Sequence, residues 1–362
     1  MNYSKIGSIE GIFLVCIGIL NHVILYLPQS IFNICGTSSI LNIIYISLIL
    51  LLFLFIFIKC YKYFYGQDIL DISKYLGGNI LKYTTGILFL VFYFILTSIM
   101  ARNFAEGINL AYFTHVNLKL ILLSFFIIVF FANTFGKSSI IKCNTIITFT
   151  IIISLLVLVI SILPNISINK MYPIFGNGIN ATFIKGIGNL YAFSGICMIF
   201  FISPMLADSR SINKIAIVSY CIISIILFLV VSSLLLALSF LLKVNELSPI
   251  YLLLEATQFG NFFQNSESFF ILIWILSIMS FLCVYSMLII LIFQKLLNFK
   301  DSTALSAIIA NLIFVFALIP KNFAEIIHIS SGILRYLQII VVFVYSFAVI
   351  ILACLKKKKK IN

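Results

Sequence analysis

The sequence predicts an all-α polytopic membrane protein of about ten transmembrane helices, and three observations lead there. Of 362 residues, 63% are hydrophobic and only 9% charged, against about 25% charge in an ordinary soluble domain. The mean hydropathy is +1.24. Apolar runs long enough to supply the ~20 residues that cross a bilayer core recur almost from end to end. The short alternating segments of a β-barrel are absent, which leaves a helical bundle as the expected architecture.

Polar interruptions divide these runs into spans at Gly11–Phe32, Leu41–Ile58, Leu81–Ala105, Leu118–Phe135, Cys143–Leu163, Ile184–Leu206, Ile215–Leu242, Ser268–Phe293, Thr303–Leu318 and Leu334–Leu355. The first span is expected to be retained, because Lys5 leads into an apolar run too long for a signal-peptide core and without a small-residue cleavage site. No linker or low-complexity stretch separates a second unit, so residues 1–362 read as one domain. The connections at Lys59–Lys82, Pro164–Lys185 and Lys243–Glu267 are long enough for short amphipathic or re-entrant pieces, with "SPIYLLLEATQF", Ser248–Phe259, the best of them.

A net charge of +13 raises nucleic acid as a partner. The Lys and Arg, however, sit singly between apolar runs or in the terminal run Lys356–Lys360, with no basic face. They read instead as a topology signal. With ten spans and the lysine tail in the cytoplasm, the cytoplasmic side holds Lys5, Lys59, Lys62, Lys74, Lys82, Lys137, Lys142, Arg210, Lys214, Lys295, Lys300 and the tail. Arg102, Lys119, Lys170, Lys185, Lys243, Lys321 and Arg335 face outward. The eight cysteines lie within or beside spans without CxxC or Cys/His spacing, and read as small buried hydrophobes rather than metal ligands or disulfides.

Polar residues inside a bilayer are costly and belong in the bundle interior or a water-filled cavity. Gly18, Asn21 and His22 interrupt the first span; Asn189, Tyr191, Ser194 and Gly195 interrupt the sixth. Two glycine- and polar-interrupted spans five apart form the pattern of discontinuous helices in an inverted repeat. The two five-helix halves would be roughly 9–163 and 184–318 plus 334–355. Where such a helix unwinds, its bare N–H groups favour a carboxylate and its bare carbonyls an ammonium or cation, so a zwitterionic amino acid fits. Glycine permits that unwinding; a single such glycine more often serves close helix packing, but the matched pair in spans one and six favours unwound backbone at a ligand site. Further polar candidates are Tyr93, Thr97 and Ser98 in the third span and Ser277, Ser280, Tyr285 and Ser286 in the eighth. Arg102 and Glu106, spaced i, i+4, are expected to pair on one helix face.

The order of several stretches resembles the spore germination permeases, the B subunits of germinant receptors in the amino acid/polyamine/organocation transporter superfamily. These are "YLPQSIFNICGTSSIL" from Tyr26; "DISKYLGGNILKYTTGILFLVFYFILTSIMARNFAEGIN" from Asp71; "FGKSSIIKCN" from Phe135; "YPIFGNGINATFIKGIGNLYAFSG" from Tyr172; "ISPML" from Ile202; and "SESFFILIWILSIMSF" from Ser266. The resemblance implies a leucine-transporter-like fold with broken helices 1 and 6 that senses a germinant, typically an amino acid. Its place would be the inner membrane of the spore, beside an A-type subunit and a C-type lipoprotein. Carried over by position, the family pocket comprises Gly18, Asn21, Thr97, Ser98, Phe193, Ser194, Gly195, Phe281 and Tyr285. Members often carry a glutamate about nine residues before the proline of the sixth span, where this chain has Gly195 before Pro204. A carboxylate role in proton or ammonium binding is therefore not expected.

Two functions follow, a receptor whose conformations are biased by ligand and an amino acid permease that carries its ligand across; a conduit opened by partner subunits is a third. An enzyme is not expected. No cofactor motif occurs: "GNGIN", Gly176–Asn180, lacks the Lys-Ser/Thr of a phosphate loop. His22, His115 and His328 lie in different segments, without paired aspartates or an HExxH.

Overall fold

The computed structural model describes residues 5–24, 27–111, 113, 115–237, 266–299 and 302–361, and the segment Ser248–Phe259 lies outside them. The described residues are almost wholly helical. α1 (Ser8–Ile24) and α2 (Leu27–Cys35) make the first crossing, followed by α3 (Ser39–Tyr61), α4 (Ile69–Ala111), α5 (Leu118–Thr134) and α6 (Lys137–Ile162). The sixth crossing begins as a π-helical turn, Asn180–Ile184, continues as a 3₁₀ helix, Lys185–Met198, and ends in α7 (Ile199–Ile202). Then come α8 (Ile212–Ala237), α9 (Ser266–Leu297) and α10 (Ser302–Ala317). The last crossing is α11 (Phe323–Ile329), α12 (Arg335–Gln338) and α13 (Ser346–Ile361), joined by the π-helical turns Ser330–Leu334 and Ile339–Tyr345. Each expected span thus finds a helix.

Two boundaries differ from the sequence reading. The third crossing begins before Leu81, at Ile69, and bends at Gly77–Gly78, where Gly78 has φ +71°. That left-handed conformation favours glycine, and the piece before it is the short helix anticipated between Lys59 and Lys82. The last crossing begins before Leu334, at Phe323. Glu325, His328 and Arg335 interrupt its apolar run, yet Asn322 caps the helix by accepting from Glu325 N at 2.9 Å.

Enclosure sorts the crossings into an inner and an outer layer. The most apolar window of the sixth crossing and that of α9 are each 89% buried, against 33% for Leu27–Tyr61 and Lys137–Asn165. The outer helices turn Leu48, Leu52, Phe55, Ile146 and Ile160 outward, as a lipid-facing surface requires. Polar side chains therefore converge where the sixth crossing, α1, α4 and α9 meet.

Basic residues expected on one side do gather at one end. Lys295 Nζ lies 2.6 Å from both Asp68 and Asp71, and Lys356 donates to the carbonyls of Tyr75 and Leu76. Lys137 donates to Gln294 at 3.0 Å. The N-terminal segment joins them, with Ile6 N donating to Met205 O at 2.9 Å and Ala207 N to Ile6 O at 3.0 Å. Arg335, Lys185 and the Pro173–Asn177 turn lie at the opposite end with Cys35. Arg102 and Glu106 pair at 2.9 Å as expected. Both side chains are nearly buried, and Arg102 also donates to Ala317 O, so the pair is an internal tie rather than a solvated one. Cys16, Cys35, Cys197, Cys283 and Cys354 are buried, whereas Cys143 and Cys221 are exposed on the outer face.

Candidate functional site

The sixth crossing organises the site through its pitch. A 3₁₀ helix has three residues per turn, so positions i and i+3 stack in rows, and runs beyond three or four residues are uncommon. Here the run covers fourteen residues. One row carries Gly186, Asn189, Ala192 and Gly195; the next carries Gly188, Tyr191, Ser194 and Cys197. The first row is small, and its two glycines admit neighbours. A Cβ at Gly186 would lie 3.1 Å from Asn42 Cγ, and one at Gly195 would lie 2.7 Å from Ile19 Cγ1 and overlap the Gly18 carbonyl carbon.

Gly18 is the reciprocal partner. A Cβ there would meet Tyr285 Oη at 2.6 Å and Gly195 Cα at 3.1 Å. The first and sixth crossings therefore touch backbone to backbone, with the Tyr285 hydroxyl against the same spot. Gly18, Asn21 and His22 all lie inside α1, which is helical from Ser8 to Ile24. Gly18 thus serves close approach, not the unwound backbone expected of the matched pair of interrupted spans, because the Gly195 backbone stands directly against it. A glutamate in place of Gly195 would have no room against Gly18.

The other sequence-derived residues lie on α1, α4, the sixth crossing and α9. Asn21 donates through Nδ2 to Ser277 O at 3.3 Å, and Ser277 Oγ donates to Asn21 Oδ1 at 3.2 Å, tying α1 to α9. Phe281 stacks on Tyr285 at 4.2 Å between centroids, and Tyr93 meets Tyr285 edge-on at 5.5 Å. Tyr93 Oη donates to Cys197 Sγ at 3.4 Å; Tyr285 Oη faces the same sulfur without hydrogen-bond geometry. Thr97 turns its hydroxyl back onto Tyr93 O at 2.6 Å. Ser98 and Ser194 are buried with unpartnered hydroxyls, and Phe193 is fully buried. Buried hydroxyls without partners are costly unless something else bonds them.

Asn21→Leu is expected to lower thermal stability in detergent, because Ser277 then keeps a buried hydroxyl without an acceptor, a loss of about 1–3 kcal/mol. Adding Ser277→Ala should recover much of it. A double variant no more stable than the single one would show that this bond does not tie the helices.

Sequence reasoning flagged His22, Asn189 and Tyr191 but missed Arg335, Gln338 and Asn42, which join them in a second polar layer towards the Lys185 end of the bundle. Arg335 lies 5.7 Å from the Tyr191 ring centroid, and His22 meets the same ring edge-on at 6.1 Å. Arg335 Nε donates to Gly188 O at 3.0 Å and Nη2 to Asn189 Oδ1 at 3.3 Å. Asn189 in turn donates to Asn42 Oδ1 at 2.7 Å. The available signal was Arg335 and Gln338, three apart in an apolar run, but without the fold nothing related them to the sixth span.

A known fold and family account for this arrangement. The structure is similar to that of a Na⁺-coupled sialic acid symporter solved in a substrate-bound, outward-open state, with a TM-score of 0.61 and 10% identity over 94% of this chain and 80% of the other. That likeness is of fold, the leucine-transporter-like one. No curated protein matches the chain in sequence. The family model for spore germination proteins matches residues 5–326. With its helical bundle centred on crossings one and six, the chain belongs to the spore germination protein family.

Proposed function

We propose that the protein is the B subunit of a germinant receptor, binding a small nutrient, an amino acid, at the meeting of the first and sixth crossings. It would signal germination together with A-type and C-type subunits in the inner membrane of the spore. The observation that carries the reading is the Gly18–Gly195 contact, together with the buried hydroxyls of Ser194, next to Gly195 in the chain, and Ser98, which have no partner among the described residues. A ligand entering between the glycines would part the two crossings and give these hydroxyls partners, so it would bind the parted arrangement better than the packed one. Only such differential affinity shifts a conformational equilibrium. Asn21, Thr97, Phe193, Phe281 and Tyr285 complete the proposed pocket, and the two five-helix halves, roughly 9–163 and 184–318 plus 334–355, would move against each other around it.

The likeness to a symporter favours a second reading, an amino acid permease of the same superfamily performing net transport. Calorimetry with purified protein and a panel of amino acids, paired with uptake into liposomes under an imposed Na⁺ or proton gradient, separates the two. Binding without concentrative flux supports the receptor; robust gradient-driven uptake supports the permease; no binding by any nutrient defeats both. Tyr285→Ala is expected to shift ligand dependence more than protein abundance, because the hydroxyl abuts Gly18. Equal losses in both would make Tyr285 a packing residue.

A further inference from the structure

We propose that Arg335, His22, Gln338 and Tyr191 form a carboxylate-recognising subsite at the outer side of the Gly18–Gly195 contact, distinct from the pocket carried over from the family. It deepens the functional reading above and rests on it for the identity of the ligand as a small nutrient. Its chemistry stands on separate residues.

Arg335 is a half-buried guanidinium that pairs with no carboxylate among the described residues. Its Nε and Nη2 donate to the carbonyls of Gly188 and Lys185 and to Asn189 Oδ1, whereas Nη1 makes no hydrogen bond among those residues. Two neutral carbonyls and an amide oxygen hold the group in place without neutralising it. The position is also built for it: a Cβ at Gly188 would lie 2.8 Å from Arg335 Cζ. A cation oriented by backbone acceptors, with one nitrogen unused, suits planar carboxylate recognition.

His22 supplies a second unused group. Its ring is fully buried; Gln338 Nε2 lies 3.4 Å from His22 Nε2, and His22 Nδ1 has no partner among the described residues. With the Gln338 amide donating to Nε2, the neutral ring carries its proton on Nδ1, a buried donor without an acceptor. Gln338 Oε1 is buried and unpartnered as well. Arg335 and Gln338 are held in one helical segment, α12, and Arg335 and His22 flank the Tyr191 ring at 5.7 and 6.1 Å. Two unused donors, on Arg335 and His22, thus border one aromatic ring, and one unused acceptor lies on Gln338 beside His22. They match a carboxylate taken by Arg335 and the imidazole N–H, with an ammonium or hydroxyl of the same molecule at Gln338 Oε1.

The row Gly188, Tyr191, Ser194 and Cys197 continues from this layer to the tyrosines 93 and 285. A ligand first held at Arg335 would meet Ser194 one 3₁₀ turn beyond Tyr191, a rise of about 6 Å.

The test uses the purified full-length chain in nanodiscs, with L-alanine, L-proline and L-leucine as probes and the matched amino acid amides as controls lacking the carboxylate. Variants are Arg335→Gln, Arg335→Lys, Lys321→Gln as an outward-facing charge control, and Gly195→Leu. The expected result is that an amino acid binds and its amide does not, and that Arg335→Gln weakens binding about tenfold or more, the worth of a charge-assisted hydrogen bond. Arg335→Lys should retain part of the affinity and Lys321→Gln all of it. Equal binding of acid and amide, an Arg335→Gln affinity like that of the parent, or no binding of any carboxylate probe overturns the proposal. The two readings fail separately. Binding lost in Gly195→Leu but intact in Arg335→Gln removes the subsite and keeps the central pocket; the converse removes the central pocket and keeps the subsite.

Discussion

Gly195→Leu is expected to abolish the response to ligand while the protein still reaches the membrane. The reason is geometric: even a methyl at this position overlaps the Gly18 carbonyl carbon and lies 2.7 Å from Ile19 Cγ1. A leucine must push α1 off the sixth crossing. Overpacking of a filled site costs about 1–3 kcal/mol, tolerable for a bundle with so many other contacts but fatal to the proposed pocket, which would depend on how these two crossings part. Membrane insertion is set by the apolar length of each span, which the substitution leaves unchanged. Germination of spores carrying the variant, or calorimetry on the purified chain, gives the response; immunoblotting of the membrane fraction gives the abundance. A normal ligand response in Gly195→Leu would show that the glycine contact is packing and nothing more. Gly18→Leu should behave alike, since the two glycines occupy each other's space.

Lys295→Met is expected to give the second large effect, at the opposite end of the bundle. Lys295, on α9, bridges Asp68 and Asp71 just before and within the start of α4, at 2.6 Å each. It thereby pins the connection after α3 to the end of α9. Asp68 is 7% exposed in its side chain, so removing the lysine strands a nearly buried carboxylate. Breaking a fully buried pair costs about 3–5 kcal/mol; here the effect falls at the lower end or below, because Asp71 is 38% exposed and partly solvated.

The pH dependence has a definite sign. Burial pushes the Asp68 carboxyl above the usual carboxylate range, opposed mainly by Lys295. Without the lysine it rises further. The folded chain then holds the Asp68 proton more tightly than the unfolded chain does, so stability falls as pH rises from the ordinary carboxylate pKa through the raised one. Lys295→Met should accordingly show its full deficit at neutral and alkaline pH and recover towards acid. Asp68→Asn in the same background should remove both the deficit and its pH dependence. Thermal unfolding in detergent across pH tests this, and a pH-independent loss would show that Lys295 acts through packing instead of charge.

The architecture of this chain and the chemistry of its site are encoded at different ranges. Composition and run length alone determined that the chain is a helical membrane bundle, because each crossing must satisfy its own backbone and bury no charge, a condition local to each twenty-residue window. The family's succession of motifs was likewise legible, since it lies along the chain. Gly18 and Gly195 could be flagged as interruptions, but whether they unwound helices or let them touch was not decided by the sequence. That depended on what stood opposite, and only the folded chain sets Gly195 against the Gly18 backbone. The same holds for Arg335. Along the sequence it is an isolated outward-facing charge 147 residues from Gly188, and its role as an oriented cation exists only once a 3₁₀ helix stacks Gly188 above Tyr191 and packs that row against α12. Spans are decided by the solvent they cross, site chemistry by which spans become neighbours, and that second choice is made by packing between residues far apart in the chain.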